Sequence, residues 1–450
     1  MIQTMQTRIF NSSPTPRDLR PQIGTGVDEI TADTFFFNKF LSKTIQRTFV
    51  SIYRSHQQTT MLSVDCLDGA SFYSSADDEY DSEEPPELEI NEKRLMERAS
   101  DALSVPCRSV KKMTRGTNHE IFLLAFESGY KCIARLSRVK EHLGKTASEI
   151  FTLQYVKEHT NIPVPEILHY DLDPANDVGA PFVLMEKLPG RHLYKIWDGL
   201  CLDHKKAVLS QMASVLVQFA SLEFDKIGCL LEGEVGPIFH PRLHEAEGPF
   251  VSTCEYMLSF VSEKQAKSTE LVNLYQQVRH EIESFFKGHD NEKCLQGPYA
   301  LIHHDFDGQN ILFTESEYDA TPRLSGVIDF EYAHTGPLYY LYEYPIFIQD
   351  VSWSKHLYSE NSVLRVHFVQ ALCDQLPQSS EARRLIIACM NFKNFLLNDF
   401  QRIFMSSELS ESTMAGLSSE YLNSARAGTG LAYSGRPDYK PEIMSDSQST

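Results

Sequence analysis

Short apolar runs over residues 121–126 and 131–136 flank a Ser128-Gly129 turn, and that order predicts a β-hairpin. Further apolar runs at 181–185, 299–303 and 324–330 predict strands, the first running into Glu186-Lys187-Leu188-Pro189-Gly190, a turn sequence. Between about 146 and 158, Ile150, Leu153 and either Val156 or the Lys157 stem share one face of a predicted helix. Later, Val208, Met212, Val215, Leu216, Phe219 and Leu222 recur at helical spacing, as do Leu385, Ala388, Cys389, Phe392 and Leu396. These stripes read as core. A chain with strands early and helices late is expected to be α+β.

Composition changes this picture mainly at the ends. The net charge of −19 is concentrated: 11 acids and no Lys or Arg lie between 65 and 92, with Ser74-Ser75 and Pro85-Pro86. Such a stretch buries too little apolar surface to order and reads as an acidic linker closing an N-terminal extension over 1–92. Ahead of it, residues 34–64 hold Lys39, Lys43, Arg47 and Arg54 and no acid, an amphipathic address in outline, but Asp18, Asp28, Glu29 and Asp33 precede it. Transit peptides are poor in acids, so a cytoplasmic location is expected, with a mitochondrial one as the alternative. The Ser-, Gly- and Thr-rich segment 406–450 is expected to be disordered. Nine cysteines without a CxxC pair suit reduced thiols. No apolar run reaches the ~18–20 residues of a membrane span, and the acidic balance argues against nucleic acid as partner. With 450 residues, 42% of them apolar, the remainder has room for two lobes.

The chemistry is concentrated in His303-His304-Asp305-Phe306-Asp307-Gly308-Gln309-Asn310 and in Val327-Ile328-Asp329-Phe330-Glu331. A carboxylate and an amide stand five residues apart on a loop after one predicted strand, and a second carboxylate ends another. That is the layout of a phosphoryl-transfer site: Asp305 can accept the proton of an incoming hydroxyl while Asn310 and Asp329 hold Mg²⁺ against the nucleotide phosphates. Read blandly, Asp305 and Asp307 are solvated loop acids and Asp329 merely ends a strand. The His-His-Asp run also suggests a metal site, but no further His or Cys stands nearby at zinc-ligand spacing, and His303 reads as a brace for the loop.

On these motifs, residues 105–350, and more weakly those up to 405, resemble the aminoglycoside phosphotransferase and choline kinase superfamily, and in particular its fungal phosphotransferase-family members. The run Ile328-Asp329-Phe330-Glu331-Tyr332-Ala333 is close to the choline-kinase form of the metal motif. The resemblance implies a two-lobe protein-kinase-like fold, with a small β-rich N-lobe over 93–187 and a larger, mostly helical C-lobe over 188–405. It implies ATP as phosphoryl donor, Mg²⁺ as cofactor and a small hydroxylated acceptor as partner. Two departures stand out. The family's usual His-Gly-Asp is here His303-His304-Asp305, and Gly336-Pro337-Leu338-Tyr339 stands where Gly-Asp-Pro is usual.

The N-lobe is expected to clamp the nucleotide. The turn Gly116-Thr117-Asn118 precedes the hairpin and can lay backbone N–H groups over phosphates. In the position of the kinase strand lysine stands Arg135, whose planar fork suits bidentate phosphate contact, with Glu149 as its expected helix partner. Met185, Glu186, Lys187 and Leu188 fall at the interlobe hinge, whose backbone contacts adenine in the family. Each of these has a plain structural reading in isolation. Tyr339, Tyr340, Tyr342, Tyr344 and Phe347 could form a ring cage for an amine acceptor, although core packing is the simpler role. The alternative function is a pseudokinase that binds nucleotide or a protein without transfer; a metal-dependent hydrolase is a third reading.

Overall fold

The computed structural model describes residues 87–427 apart from 116–117, 139–142, 241, 244, 290–292, 316–320, 350–354, 377–380, 391–394 and 406–409. Helix α1 (Glu92–Leu103) starts at Asn91, whose side chain accepts a hydrogen bond from the Arg94 amide at 3.1 Å, a cap that satisfies an otherwise orphaned donor. Strands β1 (Cys107–Arg115), β2 (His119–Phe126) and β3 (Lys131–Ser137) follow, then α2 (Leu143–His159), β4 (Ile167–Asp171) and β5 (Phe182–Glu186). The five strands form one antiparallel sheet in the order β1-β2-β3-β5-β4.

Strand periodicity decides what this sheet does. Phe122, Leu124 and Phe126 of β2 and Cys132, Ala134 and Leu136 of β3 are buried with Leu95 and Ala99 of α1. Because alternate side chains point to opposite faces, Arg135 is turned away from that core, toward α2. Leu88 and Ile90 pack against the same core, and the Leu88 amide donates to Glu120 at 2.7 Å. The packed N-lobe therefore begins ahead of 93, the boundary expected from charge alone: two apolar side chains among the last acids are enough to anchor the chain.

The chain leaves the sheet at Glu186 and enters the second lobe through Gly190, where φ is +111° and a Cβ would stand 2.8 Å from the Phe313 carbonyl. Only glycine fits that approach. Strand β6 (Arg191–His192) follows, then α3 (Leu202–Ala220), the short pair β7 (Leu230–Leu231) and β8 (Glu234–Val235), α4 (Thr253–Ser259), α5 (Thr269–His289), β9 (Ala300–Ile302), β10 (Ile311–Thr314), β11 (Arg323–Val327) and β12 (His334–Gly336). Helices α6 (Leu338–Leu341), α7 (Tyr358–Asp374), α8 (Glu381–Met390), α9 (Phe395–Phe404) and α10 (Glu411–Ala427) complete the lobe. β6 and β11 flank β10, and β12 pairs with β9.

The α3 stripe (Val208, Met212, Val215, Leu216, Phe219, Leu222) is buried in a core shared with Leu364, Phe368 and Leu372 of α7. Tyr339, Tyr340, Tyr342 and Tyr344 belong to that core too, with 5–7% of their surface exposed, and burial pushes the Tyr340 and Tyr342 hydroxyls well above their ordinary range. They pack; they do not form an open cage. The segment beyond 406 corrects a compositional expectation. It contains α10, which buries Met414, Leu417, Tyr421 and Leu422 in the main core and sets Tyr421 edge-on to Phe404. No described helix is long and apolar enough to cross a membrane.

Candidate active site

The loop between β9 and β10 is built from its buried histidine outward. His303 donates from Nε2 to the Ile328 carbonyl at 3.0 Å, and its ring packs tilted against Phe330, with centroids 4.4 Å apart. Burial holds its pKa below the ordinary value, so a neutral ring ties the loop to the end of β11. Asp305 comes next. Its Oδ2 accepts from Asn310 Nδ2 at 2.7 Å, the same amide donates to the Asp305 carbonyl at 3.0 Å, and Gln309 Nε2 approaches that Oδ2 at 3.4 Å. Asn310 in turn accepts the Ile328 amide on its own carbonyl at 2.9 Å. From below, His192 donates to the Gln309 carbonyl and the Tyr194 amide donates to Gly308 at 3.0 Å. The Asp305–Asn310 spacing thus becomes one closed ring of hydrogen bonds.

Two backbone angles mark this place. His304 has φ +70° and Asp329 φ +65°, a left-handed conformation that costs a non-glycine residue about 1–2 kcal/mol and persists where surrounding structure over-determines it. The apolar run 324–330, which predicts a strand to its end, is broken by the second of these. β11 stops at Val327, and the reversal at 329 turns the Asp329 carboxylate toward the N-lobe. At 304 the family's usual glycine would suit this φ; here the imidazole instead packs edge-on to His240 at 5.3 Å and near His334 at 5.6 Å. His304→Gly and His304→Ala both delete the ring, and only the alanine keeps the cost of positive φ. The glycine variant is expected to be the more stable by about 1 kcal/mol in denaturant titration; equal stabilities would contradict the strain.

The N-lobe supplies a charged network. Arg135 Nη1 donates to Glu149 in a short ion pair, while its Nη2 reaches Asp329 Oδ1 and Glu331 Oε2, each at 3.1 Å. Lys145 Nζ meets the same Glu331 oxygen at 2.9 Å and donates to the Tyr332 hydroxyl at 3.3 Å; His119 Nδ1 lies 3.4 Å from Glu331. Asn118 donates to that tyrosine hydroxyl at 3.1 Å. Burial raises Glu149 to about 7 against the pull of Arg135, with Asp329 and Glu331 adding to the rise. Arg135, Glu149, Asp329 and Asn118 therefore belong to one network, joined through Glu331, Lys145 and Tyr332. Met185 and Glu186 end β5 and Lys187 and Leu188 start the crossover beside it, while Gly116 and Thr117 lie outside the described residues.

His119, Lys145 and His192 escape a reading of motifs alone, and Glu331 and Tyr332, though inside the motif read around Asp329, were given no role of their own. Lys145 and Glu331 carried a local signal, being four residues before Glu149 and two after Asp329; His119 and His192 did not. Where the usual acidic residue after the metal strand is replaced by Pro337, main chain supports the loop's base: β12 pairs with β9 from His334↔Ile302 to Gly336↔Ala300.

The family model of the phosphotransferase enzyme family matches residues 110–340, half of the chain. The chain belongs to the phosphotransferase enzyme family. Its fold is α+β, with a β-rich first lobe and a helical second. A subtelomeric hrmA-associated cluster protein of Aspergillus fumigatus is 30% identical over 127 residues, 28% of this chain and 25% of that one. The mitochondrial protein altered inheritance of mitochondria 9 of Meyerozyma guilliermondii is 29% identical over 133 residues, 28% of this chain and 22% of that one. The matched stretch thus spans about a quarter of the length of these curated relatives. Among solved structures, ADP-bound aminoglycoside phosphotransferase APH(2'')-Ib is 14% identical, with a TM-score of 0.47 over 75% of this chain and 99% of that one.

His334 gives this phosphotransferase-family site a measurable pH dependence. Its Nδ1 donates to the Tyr332 carbonyl at 2.9 Å and its Nε2 accepts from Tyr256 at 3.0 Å, so the neutral ring is fully used and burial lowers its pKa to about 4. The unfolded chain takes up that proton near 6.5 and the folded one does not. Stability is therefore whole above pH 6.5 and falls toward pH 4 by up to ~1.4 kcal/mol per pH unit. Melting curves across that range are expected to slope less in His334→Gln; an unchanged slope would show that the ring titrates freely.

Proposed function

We propose that the chain is a small-molecule kinase that moves the γ-phosphoryl group of a nucleoside triphosphate, ATP in the first instance, onto a hydroxyl of a small acceptor. The observation that supports this reading is that the Asp305–Asn310 loop is tied to Ile328, the neighbour of Asp329, while Asp329 pairs with Arg135, which is seated on Glu149. The donors fit Mg²⁺: they are hard oxygens, an amide and carboxylates, and Asp329 and Glu331 already place two carboxylate oxygens on a single cationic nitrogen. Among the described residues no three His, Cys, Asp or Glu side chains form a ready cage, as suits an ion that keeps waters and phosphate oxygens in its shell. When bound, Mg²⁺ supplies charge neutralisation along the phosphates.

The chain's own groups do the rest. Asp305 faces the acceptor and takes its hydroxyl proton, with Asn310 and Gln309 fixing the carboxylate's direction. Asn310 and Asp329 hold the metal. Arg135, seated on Glu149, is positioned for the phosphates beside Asn118, and the backbone of Met185–Leu188 is where the base would be received. The pseudokinase reading is the weaker one, because Asp305, Asn310 and Asp329 are all present and convergent. Relatives named as mitochondrial, with the acid-free basic stretch 34–64, support a mitochondrial address as the alternative to the cytoplasm, and imaging of a tagged full chain separates them. Calorimetric titration with ATP, with and without Mg²⁺, followed by turnover over hydroxylated amines and other metabolites, tests the function. No binding would end it; binding without turnover would leave the pseudokinase.

A further inference from the structure

We infer that Lys145 is a second phosphate-binding cation of this site, sharing with Arg135 the work of the single strand lysine of kinases. The inference rests on the nucleotide-binding reading above and deepens it.

Lys145 stands in the first turn of α2, four residues before Glu149, so both side chains leave the same face of the helix. Only 6% of its surface is exposed. An ammonium withdrawn so far from water needs strong partners, and it has Glu331 Oε2 at 2.9 Å, the Tyr332 hydroxyl at 3.3 Å and the Tyr332 ring, whose centroid lies 4.4 Å away.

These partners locate it. Glu331 Oε2 also holds Arg135 Nη2 at 3.1 Å, so the two cations meet on one carboxylate oxygen. The Tyr332 hydroxyl also accepts from Asn118, the described end of the turn expected to cover the phosphates. Lys145 thus shares Tyr332 with Asn118 and Glu331 with Arg135, two residues of the expected phosphate site. A polyphosphate held between Asn118, Arg135 and Asp329 passes within its reach. Arg135 is already committed by one nitrogen to Glu149 and by another to Asp329 and Glu331; a mobile, point-charged ammonium complements that fixed fork. Without nucleotide, Glu331 holds both cations in place. With Mg²⁺ and phosphates present, the carboxylate can turn to the metal and the cations to the phosphate oxygens.

The test is calorimetric titration of the full chain with Mg·ATP and with adenosine, for wild type, Lys145→Gln and Lys145→Arg. A lost hydrogen bond between charged groups is expected to weaken Mg·ATP binding at least tenfold in Lys145→Gln, to leave adenosine within twofold, and to be largely restored in Lys145→Arg. Equal affinity of wild type and Lys145→Gln for Mg·ATP overturns the inference while leaving the nucleotide reading intact, as does an equal loss for both ligands. A wild type that binds neither ligand overturns the nucleotide reading and this inference with it. Should Lys145→Gln fail to fold, Lys145→Met takes its place in the same titrations: a tenfold or greater loss for Mg·ATP with adenosine within twofold supports phosphate contact, and an unchanged affinity for Mg·ATP overturns it.

Discussion

Asp305→Asn is expected to lower turnover by ~10² or more while leaving Mg·ATP affinity nearly unchanged. General-base assistance is worth ~10² to 10⁴ in rate, and asparagine preserves shape while removing the proton acceptor. The hydrogen-bond ring makes the substitution a clean one. Asn310 donates to the Asp305 main-chain carbonyl as well as to its carboxylate, so the loop keeps one of the two bonds whichever way the new amide turns. The His303–Ile328 tie is untouched. Single-turnover kinetics beside calorimetry checks both halves. Full activity in the variant would remove Asp305 from the role of base, and a parallel loss of nucleotide affinity would make it a structural residue.

The second large effect belongs to Asp329→Ala. A ligand that binds only the folded state stabilises it by mass action, by ~2.7 kcal/mol when present at 100 times its Kd. Without the Asp329 carboxylate, adding Mg²⁺ to ATP should bring no further rise in melting temperature, whereas wild type and Asp305→Asn should both show one. The comparison must be made within each variant. Alanine removes a partner of Arg135 and keeps the positive φ of residue 329, so the ligand-free protein is itself expected to melt lower. A Mg²⁺-dependent rise equal to that of wild type would move Asp329 out of the metal site.

Much of this site was legible because its signals are local. The interval from Asp305 to Asn310 lies within one loop, and the apolar runs around it place that loop after a strand. Arg135 and Glu149 could be paired because the resemblance puts Arg135 in the position of the kinase strand lysine and Glu149 on the helix that follows. What stayed hidden depends on distant partners or on backbone angle. Asn118 and Lys145 reach Tyr332 across 214 and 187 positions of chain, and no periodicity encodes that meeting. The left-handed turns at His304 and Asp329 are carried by residues that do not advertise them. Ile328 and Phe330 continue an apolar run, so the strand reads past the point where the chain reverses.

The C-terminal helix was hidden in another way. Averaged over 406–450, Ser, Gly and Thr dominate, yet Leu417, Tyr421 and Leu422 follow Met414 by three, seven and eight residues, along one face. A window of the helix's own length carries the amphipathic signal, and the average erases it. At the other end, Leu88 and Ile90 are too few to offset eleven acids in a composition count, but they suffice to dock the chain once the sheet offers them a core.

Phosphoryl transfer is tested most directly by incubation of the full chain with Mg²⁺, γ-labelled ATP and a pool of hydroxylated metabolites, beside the Asp305→Asn variant. The expected result is label in a small-molecule phosphate ester formed by wild type and reduced at least a hundredfold in the variant. Label that never leaves ATP above the variant's level, in any pool, with Mg·ATP shown to be bound, would contradict phosphoryl transfer by this site.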